Sequence, residues 1–539
     1  MKSNFYTYTY SLFFLFISFG VFSQDFKLKI TSKIEVENIA LKNIEFNQNH
    51  KDSSSVYKEI SKIHEHLKNQ GYFISTIDSI RRNNSIFTTY FSLKTKVERA
   101  ILFIKNKDSI NIPINTLKAK LNEITNSLDK EGKSFSKVSL KNINIKNDLL
   151  FANLIVEESR SRKIKKTIVK GYEKFPKSYL KNYFKLKKRK TFSKDLIEKI
   201  SENSNNLNFV NEIKAPEVLF TKDSTLLYLY FKKISNNSID ALISFASQEN
   251  GGVLFNGNVD LKLSNIFNTG EQFELFWNSI GNERQEFRVK TILPYILNSP
   301  VSTNLEFSIY RQDSSFTNTK FNSIFNYDIN QKLKIGLYYS SESSEELEKA
   351  TNTTSFDNYF IGINVNFNEI KNDIFRNKKL FFNIASSFGK RNGEAATSNQ
   401  FKIQSKANYL WEFNSRNSLY INNEIGVLNS DQYFLNELFR VGGVNSIRGF
   451  NEQSIFTKNY TFINLEYRYL TSNSSYLYTI TDFGIINTTS NQSIIGLGLG
   501  YLFVNKNSKI NLNIAIGKTS DNPFNFSDTK LAVSWINYF

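Results

Sequence analysis

The 539-residue sequence contains no cysteine. That excludes disulfides, thiolate metal sites and a lipid-bearing cysteine, so an exported fold must hold without covalent staples. Histidine is nearly as scarce. His50, His64 and His66 are its three copies, and residues two apart on a helix face different ways, so neither a metal nor a cofactor is expected. No nucleophile motif points to an enzyme. After residue 23 no window approaches the ~18 consecutive apolar residues of a membrane helix. The chain is then either water-soluble or crosses a membrane on alternating strands, whose apolar signal is dispersed.

What is present is unevenly distributed. Lys2 precedes "YSLFFLFISFGVF", and "VFS" puts small or apolar residues at positions −3 and −1 of a cut before Gln24. Residues 1–23 therefore read as an export signal. Residues 24–236 carry 42 Lys and Arg against 23 Asp and Glu, whereas residues 237–539 carry 26 against 27. All the excess positive charge lies in the first half of the mature chain, so the halves are different kinds of object. For an exported chain this basicity does not imply nucleic acid. The run "KLKKRK" (Lys185 to Lys190) is either a solvated loop or a contact for lipid head groups or an acidic partner.

The first half repeats strands and helices with a period of roughly 70 residues. Its first unit, 24–96, has strand "FKLKITSK", a helix ending at Gly71, and strands "ISTIDSI" and "IFTTYFSL". The second, 97–160, runs from "VERAILFI" through helix "INTLKAKLNEITNSLDKEG" to "LLFANLIVE". The third, 161–236, is the clearest: "KIKKTIVKGYEKFP", helices "KSYLKNYF" and "SKDLIEKISENSNNL", then strands "NEIKAPEVLF" and "STLLYLYFKK". A strand, two helices and two strands just before a barrel resemble the POTRA module of outer-membrane assembly factors. Such a module offers an exposed sheet edge to an extended client segment.

From residue 237 to Phe539 the period is two. In "YFIGINVNF", Tyr359, Ile361, Ile363, Val365 and Phe367 share one face, opposite Gly362, Asn364 and Asn366. An aliphatic and aromatic face opposite an Asn/Ser/Gly face fits a barrel with lipid outside and water inside. Sixteen such segments occur, and the even number matches bacterial barrels. Turns after even-numbered segments are mostly short ("INQK", "NSRN"), and several after odd-numbered ones are longer, including the acidic "SSESSEELEKATNTTS". The asymmetry predicts periplasmic modules and long loops outside the cell. The last segment places Leu531, Val533, Trp535 and Phe539 on one face. It resembles the C-terminal recognition signal of outer-membrane barrels, with Asn537 departing from the usual spacing.

Between the eleventh and twelfth segments, loop 429–458 contains "GGVNSIRGF": Gly442, Gly443, Ile447, Arg448, Gly449 and Phe450. This resembles the sixth-loop signature of the BamA/TamA superfamily, whose "RGF" tip folds back into the barrel lumen. An arginine there needs a partner, because a buried guanidinium is costly unless paired. Strand parity offers Glu466, with Arg468 on the same face, and Asp482, which shares a face with Gly484. The superfamily's acidic residue in its "DxG" segment matches "DFG" here. Gly496, Gly498 and Gly500 form a glycine row that would make room for the loop. The resemblance spans the mature chain and is closest in size to TamA-type members. It implies an assembly factor, with no enzymatic activity, in the outer membrane of a Gram-negative bacterium. Its partners would be unfolded barrel clients, outer-membrane lipids, and periplasmic, lipoprotein or inner-membrane accessory proteins. Clients would enter by a seam between the first strand, near Ile243, and the last, near Val533. The alternative is a two-partner secretion transporter that passes its client through the pore.

Overall fold

The computed structural model describes residues 26–104, 109–222, 224–247, 253–280, 284–348, 352–371, 373–393, 397–488 and 490–539, with backbone alone at 242–247, 253–256 and 280. The export segment, and the side chain of Ile243, lie outside the described residues. The chain divides into two compact units: residues up to Lys163 with Thr191–Asp195, and Ile164–Lys190 with Leu196–Phe539.

The first unit holds two four-stranded sheets. In the first, Phe26–Thr31 runs parallel to Ile86–Ser92, with Asn49–His50 and Thr76–Asn83 at the edges. Helix Ser53–Asn69 covers it. Asp52 caps this helix, accepting from Ser55 N at 2.7 Å, and helical spacing puts Val56, Ile60, Ile63 and Leu67 on the face that packs among Leu28, Phe87 and Phe91. A further helix, Glu35–Lys42, has no counterpart in the sequence reading. It is short, and among its residues only Leu41 is buried, so its periodicity is faint. The second sheet pairs Arg99–Ile104 in parallel with Leu149–Glu157. It gains an edge strand, Lys137–Lys146, that the sequence reading left out; none of its side chains is fully buried, so its alternation is weak. Among the described residues this sheet has one α-helix, Leu117–Lys130, preceded by a short strand, Ile110–Pro113.

In the second unit a three-stranded sheet repeats the plan: Ile164–Lys170 parallel to Thr225–Lys233, with Val210–Phe220 outermost. Its helices are a π-helical turn, Tyr179–Tyr183, and Lys194–Asn205. This module docks on turns of the barrel. The Tyr172 hydroxyl accepts from Asn265 Nδ2 at 2.9 Å and donates to Asn268 Oδ1 at 2.8 Å. The Tyr179 ring meets Tyr295 edge-on at 4.9 Å, Lys181 Nζ donates to Asn298 O at 2.9 Å, and Gln331 Nε2 donates to Tyr183 O at 2.6 Å. These barrel residues lie in the turns after strands two, four and six, so one end of the barrel carries the module.

The barrel closes with sixteen strands in sequence order. The first is Ser238–Ser247, the eleventh Asn417–Asn429, the twelfth Asn459–Ser472, the thirteenth Ser475–Asn487, the fourteenth Asn491–Val504, the fifteenth Ser508–Thr519 and the sixteenth Lys530–Tyr538. Outward positions are apolar and uncovered, as at Leu337 (68% exposed), Phe388 (71%) and Leu531 (72%), whereas inward Asn364 and Ser340 are buried. Such a belt around a closed sheet would not face water; it is a lipid-facing surface, and the chain is an outer-membrane barrel protein. No helix among the described residues is long and apolar enough to cross a membrane. One loop is shorter than the sequence reading had it. The seventh strand, Leu333–Glu346, continues through the first part of the acidic stretch, pairing Ser344 with Phe356, so only residues 347–355 lie between strands.

The closure is uneven. The ninth strand (Lys378–Gly393) and the tenth (Thr397–Glu412) pair at thirteen positions. Among the described residues, the first and sixteenth pair at two, Ser238 with Tyr538 and Ile239 with Asn537.

Candidate functional site: the arginine loop in the lumen

The loop between the eleventh and twelfth strands is built to turn back. A short hairpin, Phe439–Val441 against Ile455–Thr457, carries its tip. Gly442 (φ +111°) and Gly443 (φ +95°) supply the left-handed bends that follow, which non-glycine residues adopt only with strain. The tip is held by its own backbone and by the wall. Gly443 N donates to Ile447 O at 3.0 Å, Gly442 N to Ser446 Oγ at 3.1 Å, and Asn464 Nδ2 to Ser446 O at 2.9 Å. Ile447 is fully buried among Phe462, Ile486 and Ile494, with Phe450 against the same cluster.

Arg448 makes four bonds to two carboxylates. Its backbone N–H and Nε both donate to Asp482 Oδ2, at 2.9 and 2.8 Å, and Nη2 donates to Asp482 Oδ1 at 2.6 Å. Nη1 donates to Glu466 Oε1 at 2.5 Å. Glu466 is shared, because its Oε2 accepts from Arg468 Nε at 2.9 Å and Nη2 at 2.6 Å. Arg468 in turn stacks over Tyr420, 4.1 Å from the ring centroid. Asp482 is 0% exposed and Arg448 8%. Two arginines and two carboxylates cancel, and the bidentate fork meets the geometry a guanidinium–carboxylate pair needs when water is excluded.

The glycines divide by role. Gly449 (φ +91°) lies so close to strand fifteen that a Cβ would come 2.5 Å from Gly517 N and Ile516 C. Gly496 faces the Arg448 carbonyl oxygen, which a Cβ would strike, and Gly484 faces Ile447. Gly498 and Gly500 do not receive the loop. A Cβ at Gly498 would strike Ile514 O of the neighbouring strand, and one at Gly500 the Tyr478 ring. Their place in a row with Gly496 is parity alone. The missing member of the floor is Gly517, which pairs across the strands with Gly496 and lies under the Phe450 ring and Gly449 O. That cross-strand pairing is the signal that would have found it.

A second buried pair, absent from the sequence reading, holds the outer arm of the same loop. Arg391 Nη1 donates to Glu437 Oε1 at 2.5 Å, and both side chains are nearly inaccessible (1% and 2%). Gln400 Nε2 donates to Glu437 Oε2 at 2.9 Å, and Arg391 lies 4.4 Å over the Phe434 ring. Asn436 beside it donates to Ser344 Oγ at 2.6 Å and Thr354 O at 2.7 Å. At the C-terminus, Val533 (65% exposed), Trp535 and Phe539 face outward. The Phe539 backbone is pinned by its N–H to Asn237 O at 3.0 Å and by Ser235 Oγ to its carbonyl at 2.5 Å.

The fold and the loop define a class, a barrel of sixteen strands with POTRA modules ahead of it. Residues 162–232 match the family described as POTRA, surface antigen variable number repeat. No curated protein matches the chain. Among solved structures, CdiB from Acinetobacter baumannii is similar at 11% identity, covering 90% of this chain and 98% of its own, with a TM-score of 0.52. CdiB from Escherichia coli is 12% identical over 90% and 98%, with a TM-score of 0.49. BamA from Haemophilus ducreyi lacking POTRA domains 1–3 is 11% identical over 83% and 100%, with a TM-score of 0.46. At such identities the likeness is one of fold. The matched module and that fold support the resemblance to the BamA/TamA superfamily carried by the sequence.

Proposed function

We propose that this chain is an outer-membrane protein assembly factor that performs no covalent chemistry. Residues 24–96, 97–160 and 161–236 act as periplasmic modules whose sheet edges capture unfolded barrel clients by strand addition. The barrel, 237–539, inserts the client through the seam between its first and last strands. The observation that carries this reading is the seam. Among the described residues two paired positions hold it, against thirteen between the ninth and tenth strands, so it is the least-paired junction described and leaves strand edge unpaired there. Were the register of Ile239–Asn537 continued, Ile243 would stand opposite Val533, and these are the edges on which the client would template. Arg448 and its carboxylates keep the loop folded against strands twelve and thirteen, away from the seam.

A two-partner secretion transporter shares the modules, the barrel and the arginine loop, but moves its client through the lumen, and the seam tells the two apart. Cysteines at Ile243 and Val533, in a chain with no others, lock the seam on oxidation. Purified full-length protein in liposomes should then stop inserting an unfolded barrel client and recover on reduction. Insertion at full rate through a locked seam would sink the lateral route in favour of the pore.

A further inference from the structure

A cavity of about 760 Å³ in the lumen, distinct from the smaller one around Arg448, is lined by strands four to twelve and by the loop at Leu438–Arg440. Its charges do not balance. Lys402 on the tenth strand is 7% exposed and lies over the rings of Phe360 and Phe439, at 5.3 and 4.9 Å. Arg440, on the loop hairpin, lies 3.5 Å from the centroid of Tyr310. Neither has an ion-pair partner among the described residues. Lys320 and Arg440 are both within electrostatic reach of Lys402. Against these three cations stand Glu342, 3.7 Å from Lys320, and Glu306, which lies within electrostatic reach of Lys320, while Glu437 is already held by Arg391 and Gln400; positive charge remains in excess.

Aromatic faces attract a cation but do not neutralise it. Like charges lining a low-dielectric wall raise the local concentration of anions. A lone buried ammonium is costly without a hydrogen-bonded counter-charge, and Lys402 is directed into a space that can hold one. A guanidinium fork and two ammonium groups around one volume suit a multivalent oxyanion better than chloride.

We propose that this chamber binds a phosphate group, held by Lys402 and Lys320 on the wall and by Arg440 on the loop. Because Arg440 moves with the loop and the lysines do not, the anion would tie the hairpin to the wall at a point remote in sequence from Asp482. The phosphate can come from solution or from a lipid head group, and two probes separate these sources. Full-length protein in detergent is titrated calorimetrically at constant ionic strength with inorganic pyrophosphate, and separately with dihexanoyl phosphatidic acid. Saturable one-to-one binding is expected. Lys402→Met, which keeps the apolar stem over both rings, and Arg440→Gln should each weaken it about tenfold or more, whereas Lys262→Met, outside the chamber, should not. Tighter binding of phosphatidic acid assigns the head group, and tighter binding of pyrophosphate assigns the free anion. No saturable binding of either probe up to about 10 mM, or binding unchanged by both substitutions, overturns the proposal. Should Lys402→Met fail to form a heat-modifiable barrel, Arg440→Gln decides in the same assay.

Discussion

Removing Arg448 should free the lumen loop without dismantling the barrel, and the contact geometry gives the size of the effect. Arg448→Ala strands Asp482, which is fully buried and receives three of the four Arg448 bonds. Glu466 keeps both of its bonds from Arg468. Breaking one partner of a buried pair costs about 3–5 kcal/mol, and here the cost falls on Asp482. Asp482→Ala leaves Arg448 its single bond to Glu466, so its loss should sit at the lower end, about 3 kcal/mol. The double variant leaves no stranded charge at this position. It should cost less than the sum of the single losses by about 2–3 kcal/mol, the coupling expected of residues in one network. Loop docking can be read from the labelling rate of a cysteine at Ile447, which is fully buried while the tip is docked, with a charged thiol reagent, because the chain has no other cysteine. Each single variant should label about a hundredfold faster or more, while heat-modifiability on gels stays that of a folded barrel. Strict additivity of the two substitutions, in labelling and in client insertion, would refute the pairing as the loop's anchor.

Further outcomes follow from the same geometry. Gly496→Ala, whose methyl would strike the Arg448 carbonyl, should free the loop in the labelling assay. Gly498→Ala, against Ile514 of the neighbouring strand, should lower barrel stability and leave labelling unchanged. Protease added to intact cells should cut at residues 347–355 and spare residues 26–236; cleavage in the basic half would reverse the orientation. Glu271, in the turn under the third module, is opposed by burial, yet Thr269 and the N–H groups of Phe267 and Thr269 hold its carboxyl below its ordinary 4.5. A depressed pKa gives stability that is complete above pH 4.5 and is lost as pH falls further. The junction at Tyr172 should therefore loosen to protease below that pH, and Glu271→Gln should remove the dependence.

The parts legible in the sequence are those fixed by local period and parity. Sixteen alternating segments, the turn that breaks each, and the inward facing of Glu466, Arg468 and Asp482 all follow from a side-chain period of two. The parts missed depend on partners far along the chain. Gly517 reads as one small residue on a polar face until the register sets it beside Gly496. Arg391 and Glu437 are 46 residues apart in sequence, and nothing local to either announces a buried pair. Gly498 and Gly500 show the converse error. A glycine row shares a face, but what presses on each glycine is set by strand tilt and by neighbouring strands, which parity does not contain. The helix Glu35–Lys42 was missed because it buries too little surface to imprint a period.

Why hold one loop by two buried ion pairs, when apolar packing of similar volume is often no less stable? The loop must rest in a lumen lined largely by Asn, Ser and charged groups, where its apolar packing is limited to two small patches: Ile447 and Phe450 with Phe462, Ile486 and Ile494, and Tyr433 and Phe439 with Tyr338, Phe360 and Leu428. Between those patches the lining is mostly polar, and an apolar anchor there would have little apolar surface to bury against. A charge pair also has a geometric requirement that packing lacks. Arg448 is satisfied only when Asp482 on the thirteenth strand and Glu466 on the twelfth stand side by side, and Arg391 and Gln400 fix Glu437 through the ninth and tenth strands. The loop therefore clamps two neighbouring strand pairs, both away from the two-position junction between the first and last strands. If the wall opens at that junction, strands nine to thirteen can remain one rigid segment while strands near the seam separate. Weakening either clamp should then affect client insertion even where the barrel itself is fully folded.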